Sequence, residues 1–223
     1  MPRALITGAG RGIGLEFARQ YRAVGWDVVA TCRGAEAASA LQALGCKTAV
    51  VDMTDANAID AFAGGIPARS LDVAVLNAGT AGHRTPVLEP TAPEDLDAVM
   101  RTNVFGPMRL IATLADRMTK GGRIAAISSR MGSLGCTANG RSVLYRASKA
   151  ALNAVARAAS FELAPRGVIV VVLSPGWVKT DMGGAQADLD AATSVTGMRA
   201  AIERTSAADS GRFVDYAEAA IVW

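Results

Sequence analysis

Apolar runs of strand length recur along this chain, each closed by glycine, proline or a polar residue and followed by helical spacing; this alternation limits the fold more than any other feature. "ALIT" leads to a helix from about Ile13 to Val24, "DVVATC" to one near Ala35 to Leu44, and "KTAVVD" to one near Ala56 to Ala63. "LDVAVLN" precedes a long helix over about Pro93 to Met118, "RIAAISS" the helix carrying Tyr145, and "VIVVVLS" a loop and an irregular tail. Six such alternations predict a parallel sheet with helices on both faces, and ligand sites at the carboxyl ends of its strands.

The chain has 223 residues, 51% of them hydrophobic, enough for one sizeable core, so a single domain over 1–223 is expected. Twenty-three basic residues against 20 acidic ones give a net charge of +3, and the basic residues are scattered. No stripe points to nucleic acid or an anionic membrane. Mean hydropathy is +0.25, yet the apolar stretches are too short to span a bilayer. The opening "MPRALITGAG" enters a strand directly with no leader pattern, which predicts a cytoplasmic protein. Cys32, Cys46 and Cys136 are too widely spaced for a metal knuckle and read as reduced packing thiols. His83 is the only histidine, so a Ser/His/Asp triad or a His-based metal site would have to use it; a loop side chain is the simpler reading.

The first strand ends in "TGAGRGIG", where Gly8, Gly12 and Gly14 allow a pyrophosphate to approach and the following helix presents free N–H groups at Ile13 and its neighbours. The pattern is T-G-x-x-x-G-x-G, not the common G-x-G-x-x-G. At the second strand end an NAD-binding chain places an acid for the ribose 2′-hydroxyl. Here Cys32 and then Arg33 stand there, with Arg11 inside the glycine turn as a second cation. Two cations and no acid favour NADP(H), with NAD(H) as the lesser possibility. Asp52 and Met53 close the third strand, where an adenine amino group can be received. Asn77, Ala78 and Gly79 form a close-packing wall at the fourth, and Ser128 and Ser129 end the fifth. Pro175, Gly176, Val178 and Thr180 form a rigid turn after the sixth, facing a nicotinamide.

Tyr145 and Lys149 are four residues apart, which puts them on one face of a helix that needs neither group to fold. A phenol titrates near ~10, and a fixed ammonium favours its phenolate and brings that value toward neutrality. Ser129 can hydrogen-bond a substrate carbonyl, and Asn103, polar in mid-helix, can hold a water that relays protons to Lys149. Beside a hydride carrier such a set reduces a ketone or an aldehyde.

Taken in order, T-G-x-x-x-G-x-G, N-A-G, a mid-helix Asn, I-S-S, Y-x-x-x-K and P-G resemble the short-chain dehydrogenase/reductase family from Ala4 to about Gly184. The resemblance implies a single-domain Rossmann fold with about seven strands and a catalytic tetrad of Asn103, Ser129, Tyr145 and Lys149, the last also gripping the nicotinamide ribose. It implies Ser129 in preference to Ser128, and a homodimer or homotetramer. "ISSRMGS", "YRASKAALN", "PGWVKTDMGG" and "SGRFVDYAEAAIVW" are similar to the C-factor and sniffer-like carbonyl reductases, in which the tail returns an edge strand, here over about 211–222. Tyr145 follows Ser129 by 16 positions, a few more than is usual in the family, and a short substrate loop is expected over about 183–205. The reading is an NADP-preferring reductase acting on a small carbonyl or alcohol substrate. A nucleotide-binding regulator of C-factor type is the alternative, and a purely structural interaction module is disfavoured by the polar strand ends.

Overall fold

The computed structural model describes residues 1–83 and 86–223. Strands β1 (Arg3–Ile6), β2 (Asp27–Cys32), β3 (Lys47–Val50), β4 (Leu71–Leu76), β5 (Met118–Ile127), β6 (Ile169–Ser174) and β7 (Phe213–Asp215) form one parallel sheet in the order β3-β2-β1-β4-β5-β6-β7. The strand order reverses between β1 and β4, and at such a switch point the loops on either side diverge and open a crevice.

Successive residues of each strand point to opposite faces, and both faces are covered. Ala4 and Ile6 pack with Phe17 and Tyr21 of α1 (Gly12–Ala23), Leu41 of α2 (Ala35–Ala43) and Val195, Met198 and Ile202 of α7 (Ala191–Arg204). Leu5 faces the other side, with Ile59 of α3 (Ala56–Gly64), Leu110 and Leu114 of α5 (Gly106–Leu114) and Leu152 and Leu163 of α6 (Val143–Leu163). Every residue of β6 is buried, as its unbroken apolar run requires.

Three segments differ from the sequence reading. The long helix is α4 (Pro93–Met100) and α5 joined by a π-turn at Arg101–Phe105, and it ends at Leu114, with Met118 opening β5 opposite Leu71. The expected irregular tail holds α7, capped by the Asp190 carboxylate, which accepts from the Thr193 N–H at 2.7 Å. Strand β7 spans only Phe213–Asp215; the chain then turns so that Ala220 pairs antiparallel with Val214 and covers the sheet edge. No helix among the described residues is long and apolar enough to cross a membrane.

The start of α1 lies hard against the end of β1. A Cβ added at Gly14 would lie 2.3 Å from the Gly8 carbonyl oxygen and 2.5 Å from Asn77 Nδ2, neither of which can retreat without opening the turn. Gly14→Ala is therefore expected to destabilise the protein by about 2–4 kcal/mol in urea denaturation. An unchanged midpoint would show that the turn yields freely.

Candidate active site

The crevice at the switch point is laced by Asn77. Its Nδ2 donates to the carbonyls of Thr7 and Gly8, both at 3.1 Å. In return the buried Thr7 hydroxyl accepts from the N–H groups of Asn77 (3.0 Å) and Ala78 (3.1 Å). Asn77 thus acts on the glycine turn through its side chain, while Ala78 forms a wall against which a Cβ at Gly8 would come to 2.7 Å from Cα. Gly8 and Gly12 have φ of +64° and +55°, the left-handed region that glycine enters at little cost. The helix N-cap is Arg11, whose side chain makes no capping bond and so does not compete for the first N–H groups of α1. Ile13 contributes backbone there, its side chain packing onto the core below.

Arg33 follows β2 and is exposed, with no acid taking the place of Cys32. Arg11 was expected to turn toward the same phosphate position, but its Nη1 donates to Asp181 Oδ2 at 2.6 Å. The Asp52 carboxyl is held below the usual carboxylate range by bonds from the Thr54 N–H (2.8 Å) and hydroxyl (2.9 Å), with a further contribution from Arg33. Both bonds fall on Oδ1. Met53 is buried, its carbonyl against Gly106. After β6 the Pro175 carbonyl accepts from the buried Ser194 hydroxyl at 2.6 Å, and Gly176 takes φ +80°. Val178 is buried, and the Thr180 methyl would lie 3.2 Å from a Cβ at Gly12, so this loop meets the glycine turn.

At the other side of the crevice α6 brings Tyr145 and Lys149 together, with Lys149 Nζ 5.7 Å from the centre of the tyrosine ring. Lys149 is 4% exposed and donates to the Ile127 carbonyl at 2.9 Å. No carboxylate pairs with it among the described residues, and burial pushes its pKa down to about 8. Gly79 lies in front of it: a Cβ there would sit 3.5 Å from Nζ and 3.3 Å from Asn103 Oδ1.

Asn103 is fully buried in the π-turn, and its side chain is taken up by protein partners. Its Nδ2 donates to the Thr80 carbonyl (2.8 Å) and the Ser148 hydroxyl (2.9 Å), and its Oδ1 accepts from the Thr80 N–H (2.8 Å). The side chain is a clamp between the loop after β4 and α6. Its main-chain carbonyl lacks the ordinary helical donor, because the residue four positions on is Pro107. A π-turn commonly marks such a functional interruption.

The two serines separate clearly. Ser128 is buried and donates to Asn153 Oδ1 at 2.5 Å, whereas Ser129 is half-buried and accepts from the nearby Met131 N–H at 3.1 Å. Asn153 also donates to the Gly132 carbonyl at 3.2 Å, and Gly132 has no room for a Cβ, which would come 2.8 Å from Lys149 backbone. Thr80, Ser148, Asn153, Gly132 and Asp181 are the residues that sequence reasoning missed. Only Ser148 and Asn153 left a signal, as polar residues one position before and four after Lys149 on the helix face that packs inward.

His83 is an exposed loop side chain whose Nδ1 lies 2.6 Å from Asp95 Oδ2, and that pairing raises its pKa. Among the described residues no group of three or more His, Cys, Asp or Glu is placed to hold a metal. Cys32 and Cys46 are buried free thiols.

The reversed strand order, the glycine turn opposite Asn77, and a buried lysine one helical turn from a tyrosine define a dinucleotide-type α/β scaffold with two titratable side chains gathered at its switch point. The chain belongs to the short chain dehydrogenase family, whose model matches residues 2–190. It is 39% identical to C-signal of Myxococcus xanthus over 165 residues, 73% of this chain and 99% of that protein. The NADPH-bound carbonyl reductase from chicken fatty liver superposes with a TM-score of 0.90 at 31% identity, over 100% of this chain and 99% of that one. The carbonyl reductase Sniffer of D. melanogaster does so with a TM-score of 0.89 at 29% identity, over 100% of both chains.

Burying an uncompensated ammonium costs stability wherever it is charged in both states. Between about pH 8, where Lys149 titrates in the fold, and 10.5, its ordinary value, the unfolded chain binds the extra proton, so stability rises with pH through that window. Lys149→Met removes this dependence. Its stability relative to the wild type should therefore decline by up to about 3 kcal/mol as pH rises from 7 to 10.5, read from paired denaturation curves. A difference flat with pH would show that the lysine is not desolvated.

Proposed function

We propose that the protein is an NADPH-dependent carbonyl reductase, converting a ketone or an aldehyde to an alcohol. The observation that carries this reading is the buried Lys149 ammonium, without a carboxylate partner among the described residues, 5.7 Å from the Tyr145 ring. A fold gains nothing by burying a charge in this way, whereas a proton donor beside it gains a stabilised anion. The glycine turn, the N–H groups of α1 and the wall from Asn77 to Gly79 fit a dinucleotide, and Arg33 with no neighbouring acid fits its 2′-phosphate. The NADPH-bound relative from chicken liver supports the same cofactor. When bound, the reduced nicotinamide supplies a hydride to the carbonyl carbon.

Tyr145 then delivers its phenolic proton to the carbonyl oxygen, while the Ser129 hydroxyl donates to that oxygen and fixes the substrate's orientation. Lys149 stabilises the phenolate left behind and, by burial, keeps a proton that leaves near neutrality. The Asn103 carbonyl, deprived of its helical donor by Pro107, accepts from a water on the path by which that proton is replaced. Asn103 itself holds Thr80 and Ser148 in register, which keeps Gly79 in front of Lys149.

The 39% identity to a protein named C-signal favours a second reading, a nucleotide-binding signalling protein with little turnover. Turnover separates the two. NADPH oxidation over a panel of aldehydes, ketones, quinones and 3-oxoacyl compounds, with NADH beside it, should show activity that prefers NADPH and declines as pH rises through about 8, where Lys149 loses its proton. Tyr145→Phe should lower kcat by about 10²-fold or more with NADPH affinity nearly unchanged. Unchanged turnover would remove Tyr145 from its role, and dinucleotide binding without turnover on any carbonyl would favour the signalling reading.

A further inference from the structure

Arg11 stands at a fork in the dinucleotide cradle. On one side its neighbour Gly10 packs against the end of β2, where an added Cβ would lie 3.0 Å from the Ala37 Cβ and 3.4 Å from the Cys32 Cβ. On the other side Gly12 packs against Thr180, 3.2 Å from a Cβ placed there. The backbone on either side of Arg11 thus meets the end of β2, where Arg33 follows Cys32, and the loop after β6. The guanidinium engages the β6 loop, with Nη1 donating to Asp181 Oδ2 at 2.6 Å. The two side chains are 70% and 71% exposed, and an ion pair so open to water contributes little, so a phosphate can exchange it.

We infer that Asp181 sets the balance between NADP(H) and NAD(H), by drawing the Arg11 guanidinium toward the β6 loop and away from the ribose 2′ position beside Arg33. The inference rests on the dinucleotide reading above. A 2′-phosphate meets Arg33 directly but gains Arg11 only at the expense of the pair with Asp181. A 2′-hydroxyl makes no demand on Arg11. Asp181 therefore weakens NADP(H) selectively, and the chain discriminates between the dinucleotides less than its two arginines would if both were unopposed.

Asp181→Asn removes the charge and keeps the size. Titration of wild-type and variant protein with NADPH and with NADH, followed by nicotinamide fluorescence at low salt, should show the NADPH Kd falling about fivefold and the NADH Kd moving less than twofold. The same substitution in an Arg11→Ala background should leave both constants in place, and added salt should shrink the NADPH effect. Equal shifts for the two dinucleotides, no shift for NADPH, or a full shift without Arg11 would each overturn the inference while leaving the dinucleotide reading standing. A wild-type protein that bound neither dinucleotide would overturn that reading and this inference with it.

Discussion

The site depends on one costly group, the Lys149 ammonium, held out of water with only the Ile127 carbonyl at 2.9 Å as a described hydrogen-bond partner. The cost falls on α6, which offsets it along the same 21-residue helix. Leu144, Leu152, Ala156 and Leu163 lie on the buried face that also carries Lys149, and burial of a leucine contributes about 1.5–3 kcal/mol. The lysine can therefore be carried one turn above a leucine anchored in the core, where its position is fixed to the precision of a helix and not of a loop. Gly79 and Gly132 close around it, each without a side chain, one before Nζ and one against its backbone.

Around this group the polar contacts form two bridges from α6 to the strand ends. Asn103 joins Thr80 to Ser148, and Asn153 joins Ser128 to Gly132. Both asparagines are buried and both have described partners for donor and acceptor, as buried amides must if they are not to cost stability. On the proposed reading the consequence is functional, because Thr80 follows the wall assigned to the cofactor and Ser128 precedes the serine assigned to the substrate. Each bridge ties a segment that binds to the helix that reacts.

The strands were legible because each is an apolar run bounded by a turn signal, and Tyr145 and Lys149 because a four-residue spacing has one meaning on a helix. Met118 was misread because "LIATLADRM" keeps helical spacing to its end, while the structure turns Met118 into β5 opposite Leu71. Helix α7 was hidden by Thr193, Ser194, Val195, Thr196 and Gly197, which are weak helix formers; tertiary burial of Val195, Met198 and Ile202 and the Asp190 cap override them. The π-turn had a local cause in Gly106-Pro107, but its effect on Asn103 required knowing which atoms Thr80 and Ser148 would occupy. Arg11 was read for its charge; its direction depends on Asp181, 170 positions away, and no local pattern carries that.

The loops proposed to face the substrate follow different rules from the groups proposed to react. Between Ser129 and Tyr145 the chain is pinned by backbone bonds to two distant segments: the Val87 N–H donates to the Gly140 carbonyl at 3.2 Å, and the Gly135 N–H to the Trp223 carbonyl at 3.1 Å, with the Trp223 ring tilted against Phe213 at a centroid distance of 5.4 Å. Just before α6, Ser142 takes φ +55°, a left-handed conformation that costs a non-glycine residue about 1 kcal/mol, and the next turn of helix takes its carbonyl through the Arg146 N–H at 3.0 Å. Backbone bonds accept almost any side chain, so these loops can change composition and reach while the strained residue still delivers α6 at one angle. On the proposed reading, reaction type is thus fixed by spacing along α6, and the shape of the substrate by loops whose ends alone are constrained.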